Sequence, residues 1–183
     1  MKITDTRIPD VKIIEPRVFE DDRGYFFESY RKSVLKEAGI EESFVQDNVS
    51  RSFSNTVRGL HYQIENPQAK LVQCLSGTIL DVAVDIRKGS KSFGNYVAFK
   101  LSDVSKRMLF IPKGFAHGFS VLSDEAIVAY KCSDYYNPEG ERGIRWDDPT
   151  IRINWDIDRP ILSDKDRKLP LLSSMNEKDL FSL

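Results

Sequence analysis

Along most of this chain the apolar positions alternate with polar ones instead of recurring at helical spacing. From Thr78 to Ile86, the residues Leu80, Val82, Val84 and Ile86 fall on one face, with Asp81, Ala83 and Asp85 on the other. That period-two pattern is the signature of a strand. Comparable runs occupy residues 11–18, 25–30, 57–63, 70–75, 96–101, 107–111, 118–122 and 126–135, punctuated by turn residues such as Ser76-Gly77 and Pro112-Lys113-Gly114. So many short strands predict a mainly β sandwich or barrel. One helix is expected over 31–38, where Val34, Leu35 and Ala38 share a side and Gly39 supplies the stop. Ser163 is placed to cap a second short turn through Asp164-Lys165-Asp166. Both helices are expected at the periphery.

Composition narrows the function more than the fold. The 10 glycines and 8 prolines are spread as turn punctuation, with no repeat or linker-like tract, so residues 1–183 are expected to form a single domain. Basic and acidic residues nearly cancel, 27 against 28, for a net charge of -1, so no long-range field attracts a nucleic acid. No apolar run approaches the roughly 20 residues of a membrane span, and the first residues carry no signal core. A cytoplasmic location without membrane contact is therefore expected. Cys74 and Cys132 form no Cys-x-x-Cys pair and lie in strand-like runs, which predicts reduced, buried thiols.

Chemistry-bearing residues gather in four places. Asp22-Arg23-Gly24-Tyr25-Phe26-Phe27-Glu28 is a turn feeding a strand, with Arg23 and Glu28 near its ends; a solvated hairpin and a ligand contact both fit. Gln46-Asp47-Asn48 sets three hydrogen-bonding side chains together without a turn-forming Gly or Pro, which suits a nucleobase edge as well as a polar loop. In Arg58-Gly59-Leu60-His61-Tyr62-Gln63 a regular strand would point Arg58 and His61 to opposite sides, and Gly59 offers a place to bend. The only other histidine, His117, closes the Pro-x-Gly-x-x-His segment Pro112 to His117.

The two histidine segments together resemble the paired motifs of the cupins, and the resemblance implies a cupin-type jelly-roll barrel with a central pocket. Metal-binding cupins carry His-x-His in the first motif, whereas this chain has Gln63 in the second position. His61 and His117 alone fall short of the three or more N/O ligands usual for a catalytic metal, so no metal is expected, and the resemblance to the family named next implies no other cofactor. A closer resemblance spans nearly the whole chain. Asp22-Arg23-Gly24, Gln46-Asp47-Asn48, Arg58-Gly59-Leu60-His61, Lys70-Leu71-Val72, Asp81 to Arg87, Pro112 to Gly118, Tyr130-Lys131 and Trp146-x-Asp148 together resemble the dTDP-4-dehydrorhamnose 3,5-epimerase family in order and near-family spacing.

That resemblance implies inversion of C3 and C5 of dTDP-4-dehydro-6-deoxy-D-glucose, giving dTDP-4-dehydro-L-rhamnose, a step of dTDP-L-rhamnose synthesis. The C4 ketone acidifies both neighbouring C–H bonds, so the reaction needs a base, an acid and a positive group near the ketone oxygen. By resemblance His61 is the base, an imidazole with an ordinary pKa of about 6.5, and Asp166 its carboxylate partner, with Asp81 a local competitor. Tyr130 matches the proton donor and Lys70 the cation. Arg23, Arg58 and Lys165 match groups for phosphates or hydroxyls; Glu28, Gln46, Asp47, Asn48, His117 and Glu141 match further substrate contacts. Phe19, Phe26 and Tyr136 are aromatic candidates for stacking on thymine. The resemblance also implies a homodimer in which an N-terminal strand completes the neighbour's sheet. Sibling reactions remain open: epimerisation at one carbon, or 3,4-ketoisomerisation of a related dTDP-ketosugar. From other classes, a metal-dependent cupin oxygenase and a binding-only cupin are disfavoured by Gln63 and by the retained acid and base respectively.

Overall fold

Alternating strands need two different environments, and the computed structural model, which describes residues 1–183, supplies them by stacking two antiparallel sheets and covering their outer faces. In chain order the elements are β1 (Lys2–Asp5), β2 (Lys12–Glu15), β3 (Val18–Asp21), β4 (Gly24–Phe27), α1 (Lys32–Glu37), β5 (Gln46–Phe53), β6 (Val57–Gln63), β7 (Lys70–Ser76), β8 (Thr78–Asp85), β9 (Arg87–Lys88), β10 (Tyr96–Ser102), β11 (Met108–Ile111), β12 (Phe115–Val121), β13 (Glu125–Cys132), β14 (Glu141–Gly143), α2 (Asp164–Arg167) and β15 (Phe181–Ser182), with single 3-10 turns at Leu172–Ser174 and Glu177–Asp179. One sheet runs β1-β2-β11-β7-β13-β5 and the other β10-β8-β12-β6-β14. The fold is the expected cupin-type jelly roll, mainly β, with both helices at its edge.

Three apolar clusters explain the pattern of the sequence. Between the sheets lie Val72, Leu109, Ile111 and Val128 from one side and Ile79, Ala83 and Phe119 from the other. The opposite face of β8, carrying Leu80, Val82 and Val84, is covered by the C-terminal segment through Ile151, Trp155 and Leu172. Leu35 of α1 and Ile40 cover the outer face of the six-stranded sheet over Ile14, Leu71 and Met108. Seven of the eight residues of β8 are consequently buried.

The run expected over 11–18 divides at Pro16, which has no N–H for a ladder, into β2 and the separate β3–β4 hairpin. The polar cluster at Gln46 opens β5, a strand that apolar alternation does not reveal because one face is lined by Gln46, Asn48, Ser50 and Ser52. Helix α1 is slightly shorter than 31–38 and is followed by Gly39 at φ +81°.

The bend anticipated at Gly59 is a bulge. His61 pairs with His117 and Arg58 with Phe119, so Gly59 and Leu60 together oppose the single residue Gly118. Cross-strand partners share a face, which turns Arg58 and His61 to the same side of β6. The two backbones touch here: a Cβ on Gly59 would lie 2.6 Å from Gly118 Cα, and one on Gly118 2.6 Å from the Arg58 carbonyl.

Candidate active site

The inner faces of the two sheets enclose a cavity of about 440 Å³ that includes His61, His117 and Arg58 on one wall and Lys70 and Tyr130 on the other. An adjoining pocket of about 230 Å³, lined by Gln46, Asn48, Tyr136 and Glu141, shares His61, Lys70 and Tyr130 with it. Those three side chains therefore stand at the centre of one cleft.

His61 is fixed from the far end of the chain. Ser163 Oγ accepts the Asp166 N–H at 3.1 Å and caps α2, which delivers the buried Asp166 carboxylate to the ring. His61 Nε2 lies 2.8 Å from Asp166 Oδ1, and the Gly59 N–H donates to Oδ2 at 3.3 Å. Burial alone would raise the Asp166 carboxyl, but the hydrogen bond and charge of His61, with the Gly59 and Ser163 bonds, hold it below the usual carboxylate range. An ionised carboxylate only accepts, so the neutral imidazole keeps its proton on Nε2 and leaves the Nδ1 lone pair free to take another. Asp81 serves the other histidine instead: its Oδ1 lies 2.7 Å from His117 Nε2, with both residues buried.

Across the cleft, the Lys70 ammonium has no hydrogen bond to protein and no ion pair; Nζ lies 5.9 Å from the Tyr130 ring centroid. Burial lowers its pKa, and the negative charges available at Cys132, Asp81 and Glu141 oppose that only in part. Burial raises the Tyr130 phenol, with Cys132 adding to the rise and the Arg58 cation opposing it. The phenol therefore keeps its proton at neutral pH. The site thus sets a carboxylate-oriented imidazole opposite a protonated phenol, with an uncompensated ammonium beside them. Such a set can move a proton at a carbon next to a carbonyl and stabilise the resulting oxyanion.

The rest of the cleft holds polar groups in fixed order. Arg58 Nε donates to Ser52 Oγ at 2.8 Å, Gln46 Nε2 to Asn48 Oδ1 at 3.1 Å, and Asn48 Nδ2 contacts Cys132 Sγ at 3.6 Å. Glu141 accepts from the Tyr136 hydroxyl at 2.8 Å and pairs with Lys165 at 2.6 Å. Burial raises its carboxyl, but these two partners outweigh that and leave it lowered. Gln63, at the position of a metal cupin's second histidine, instead ties loops together, donating to the Asn66 and Tyr135 carbonyls and accepting from the Asn137 N–H.

Three anticipated contacts are not brought to this cleft. Asp47 points to the other face of β5 and pairs with Lys131 at 2.9 Å, because adjacent strand residues alternate sides. Arg23 pairs with Asp21 on the exposed β3–β4 hairpin, and Glu28 pairs with Arg31 just beyond it. Phe19 and Phe26 stay on that hairpin, 51% and 71% exposed, so Tyr136 is the only one of the three aromatic candidates lining the cleft. Sequence reasoning passed over Ser50 and the wall formed by Ile161 and Leu162. The period-two spacing from Gln46 and Asn48 was the one signal pointing to Ser50.

Fold and site define a cupin-type barrel equipped for acid–base chemistry on a carbonyl compound. Residues 5–174 match the family model described as dTDP-4-dehydrorhamnose 3,5-epimerase. A dTDP-4-dehydrorhamnose 3,5-epimerase of Shigella flexneri is 54% identical over 168 residues, 91% of this chain and 93% of the relative. One from Pseudomonas aeruginosa is also 54% identical, over 170 residues, 92% of this chain and 94% of that one. The solved dTDP-6-deoxy-D-glucose-3,5-epimerase of Legionella pneumophila, in complex with dTDP-4-keto-L-rhamnose, superposes with a TM-score of 0.97 at 48% identity, covering 100% of this chain and 98% of that one. The chain belongs to the dTDP-4-dehydrorhamnose 3,5-epimerase family.

Proposed function

We propose that this epimerase converts dTDP-4-dehydro-6-deoxy-D-glucose to dTDP-4-dehydro-L-rhamnose by inverting C3 and C5, supplying dTDP-L-rhamnose synthesis. The observation that carries the reading is the His61–Asp166 pair facing Tyr130 and an unpaired Lys70 across one cavity. His61 Nδ1 takes the proton from the carbon beside the C4 ketone, and the electron pair moves onto the ketone oxygen. Lys70 stabilises that enolate oxygen. Tyr130 returns a proton to the opposite ring face, after which Tyr130 and His61 exchange protons with solvent. Asp166 orients the ring and offsets the charge of the imidazolium.

Arg58 and Lys165 suit the diphosphate or sugar hydroxyls, Tyr136 the thymine ring, and Gln46, Asn48, His117 and Glu141 the remaining polar atoms. Arg23 and Glu28 reach a substrate only in an assembly. A homodimer in which the exposed hairpin enters the neighbour's cleft supplies that role for Arg23 and Glu28. Asp47 has no such support beyond its position. We further propose that residues 1–183 act as one domain in the cytoplasm, a location supported by two free, buried cysteines. No helix is long and apolar enough to cross a membrane.

Proton NMR in deuterium oxide tests the reaction, with the product trapped by a ketoreductase. Deuterium at both C3 and C5 is expected; label at one carbon alone would assign a single-carbon epimerase. Tyr130→Phe should still wash out the substrate C–H proton while losing about 100-fold or more of inversion at one or both carbons, in the range of a general acid. A normal product yield from this variant would assign the acid elsewhere.

A further inference from the structure

Two buried side-chain polar atoms in the molecule have no hydrogen-bond partner, Ser50 Oγ and Asp81 Oδ2, and both residues belong to the neighbourhood of the cleft. Buried polar groups are nearly always satisfied, so each calls for a reason. Asp81 has one in its pairing with His117. Ser50 has none within the protein.

Its position is unusual on its own strand. Gln46, Asn48, Ser50 and Ser52 succeed one another along the cleft-facing side of β5. Gln46 is engaged with Asn48 and the Tyr136 N–H, Asn48 also with Cys132, and Ser52 with Arg58. Ser50 alone is unoccupied, and it lines the cavity together with Arg58, His61, Lys70 and Tyr130. A serine hydroxyl both donates and accepts, and its staggered χ1 positions allow the oxygen to turn toward a ligand.

Resting on the proposed substrate, we infer that Ser50 is a further substrate-binding residue, its hydroxyl hydrogen-bonding an oxygen of the bound dTDP-ketohexose. The chemistry is the same whether that oxygen belongs to the diphosphate beside Arg58 or to the hexose between His61 and Tyr130. The free enzyme keeps this hydroxyl unsatisfied so that the ligand can complete it.

The inference predicts opposite effects on stability and binding. Ser50→Ala removes an orphan polar atom and should leave the unfolding midpoint unchanged or raised. Ser50→Cys keeps nearly the same volume with a much weaker donor, and should behave alike. Both should lower kcat/KM by about 5- to 30-fold, a loss typical of one neutral hydrogen bond to a ligand. Calorimetric binding of dTDP and of the unreactive dTDP-6-deoxyhexose locates the partner: equal losses for both ligands place it on the diphosphate, and a loss for the hexose conjugate alone places it on the sugar. Because binding is read without turnover, an inactive wild type would overturn the reaction assignment and leave this measurement intact. Wild-type affinity for both ligands in both variants would overturn the inference, as would weaker binding accompanied by a clear loss of stability.

Discussion

Replacing His61 with alanine is expected to abolish deuterium incorporation at both C3 and C5, lowering kcat by about 100- to 10,000-fold, the span supplied by a positioned general base. Affinity for dTDP should stay within about threefold, because the proposed nucleotide contacts at Arg58, Tyr136 and Lys165 do not depend on the imidazole. The substitution also strips Asp166 Oδ1 of its 2.8 Å partner. A buried acceptor left unmatched costs about 1–3 kcal/mol, so the alanine variant should also unfold more easily. His61→Gln separates the two effects: an amide can donate to Asp166 yet cannot accept a carbon-bound proton, so stability should recover while exchange stays absent. Wild-type exchange in either variant, followed by NMR in deuterium oxide, would remove His61 as the base.

The second large effect is expected at Lys70, and its sign differs between activity and stability. Lys70→Met retains an unbranched chain of similar length and removes the charge. Loss of the group facing the enolate oxygen should lower kcat by about 100- to 1,000-fold, as for removal of one oxyanion-stabilising donor. Stability should hold or rise, because a partly buried ammonium with no ion pair is costly to keep in the folded state. The pH dependence follows from the lowered pKa of Lys70. Between that value and the usual lysine value of about 10.4, the unfolded chain binds more protons than the folded one, so wild-type stability rises with pH across this window. Below the folded pKa the penalty is present in full; above the unfolded value it is gone. Unfolding midpoints of wild type and Lys70→Met should therefore converge as pH rises, while wild-type kcat falls as the ammonium deprotonates. A methionine variant less stable than wild type at neutral pH would show that the lysine's stem or charge supports the fold.

Much of this architecture was legible because burial on both faces leaves a strong mark. The alternation at 78–86 identified β8, and the Pro-x-Gly-x-x-His segment identified the turn into β12. β5 stayed hidden, since its cleft side is polar by design of the site and its other side includes exposed Val49 and Phe53 beside Asp47 and Arg51. Local pattern cannot separate such a strand from a polar loop. Ionic partners across long separations were equally invisible to periodicity: Asp166 reaches His61 and Asp81 reaches His117 only after the sheets assemble. Family resemblance pointed to Asp166, whereas nothing in strand spacing could choose between the two carboxylates. The orientation of Asp47 has a simpler origin, as a cluster of three polar neighbours on a strand sends its middle member to the face opposite the other two, here against Lys131.

The His61–Asp166 link also has a temporal meaning. The strands that build the two large sheets are all present once Gly143 has been made, whereas the carboxylate that sets the imidazole's tautomer arrives with α2. At ordinary synthesis rates Asp166 follows Gly143 into the chain by roughly one to a few seconds, so the strand that carries the histidine is made well before the partner that orients it. Competence to catalyse is in this sense a late acquisition of the growing chain, conferred together with the last wall of the cavity, which the same segment supplies through Ile161 and Leu162.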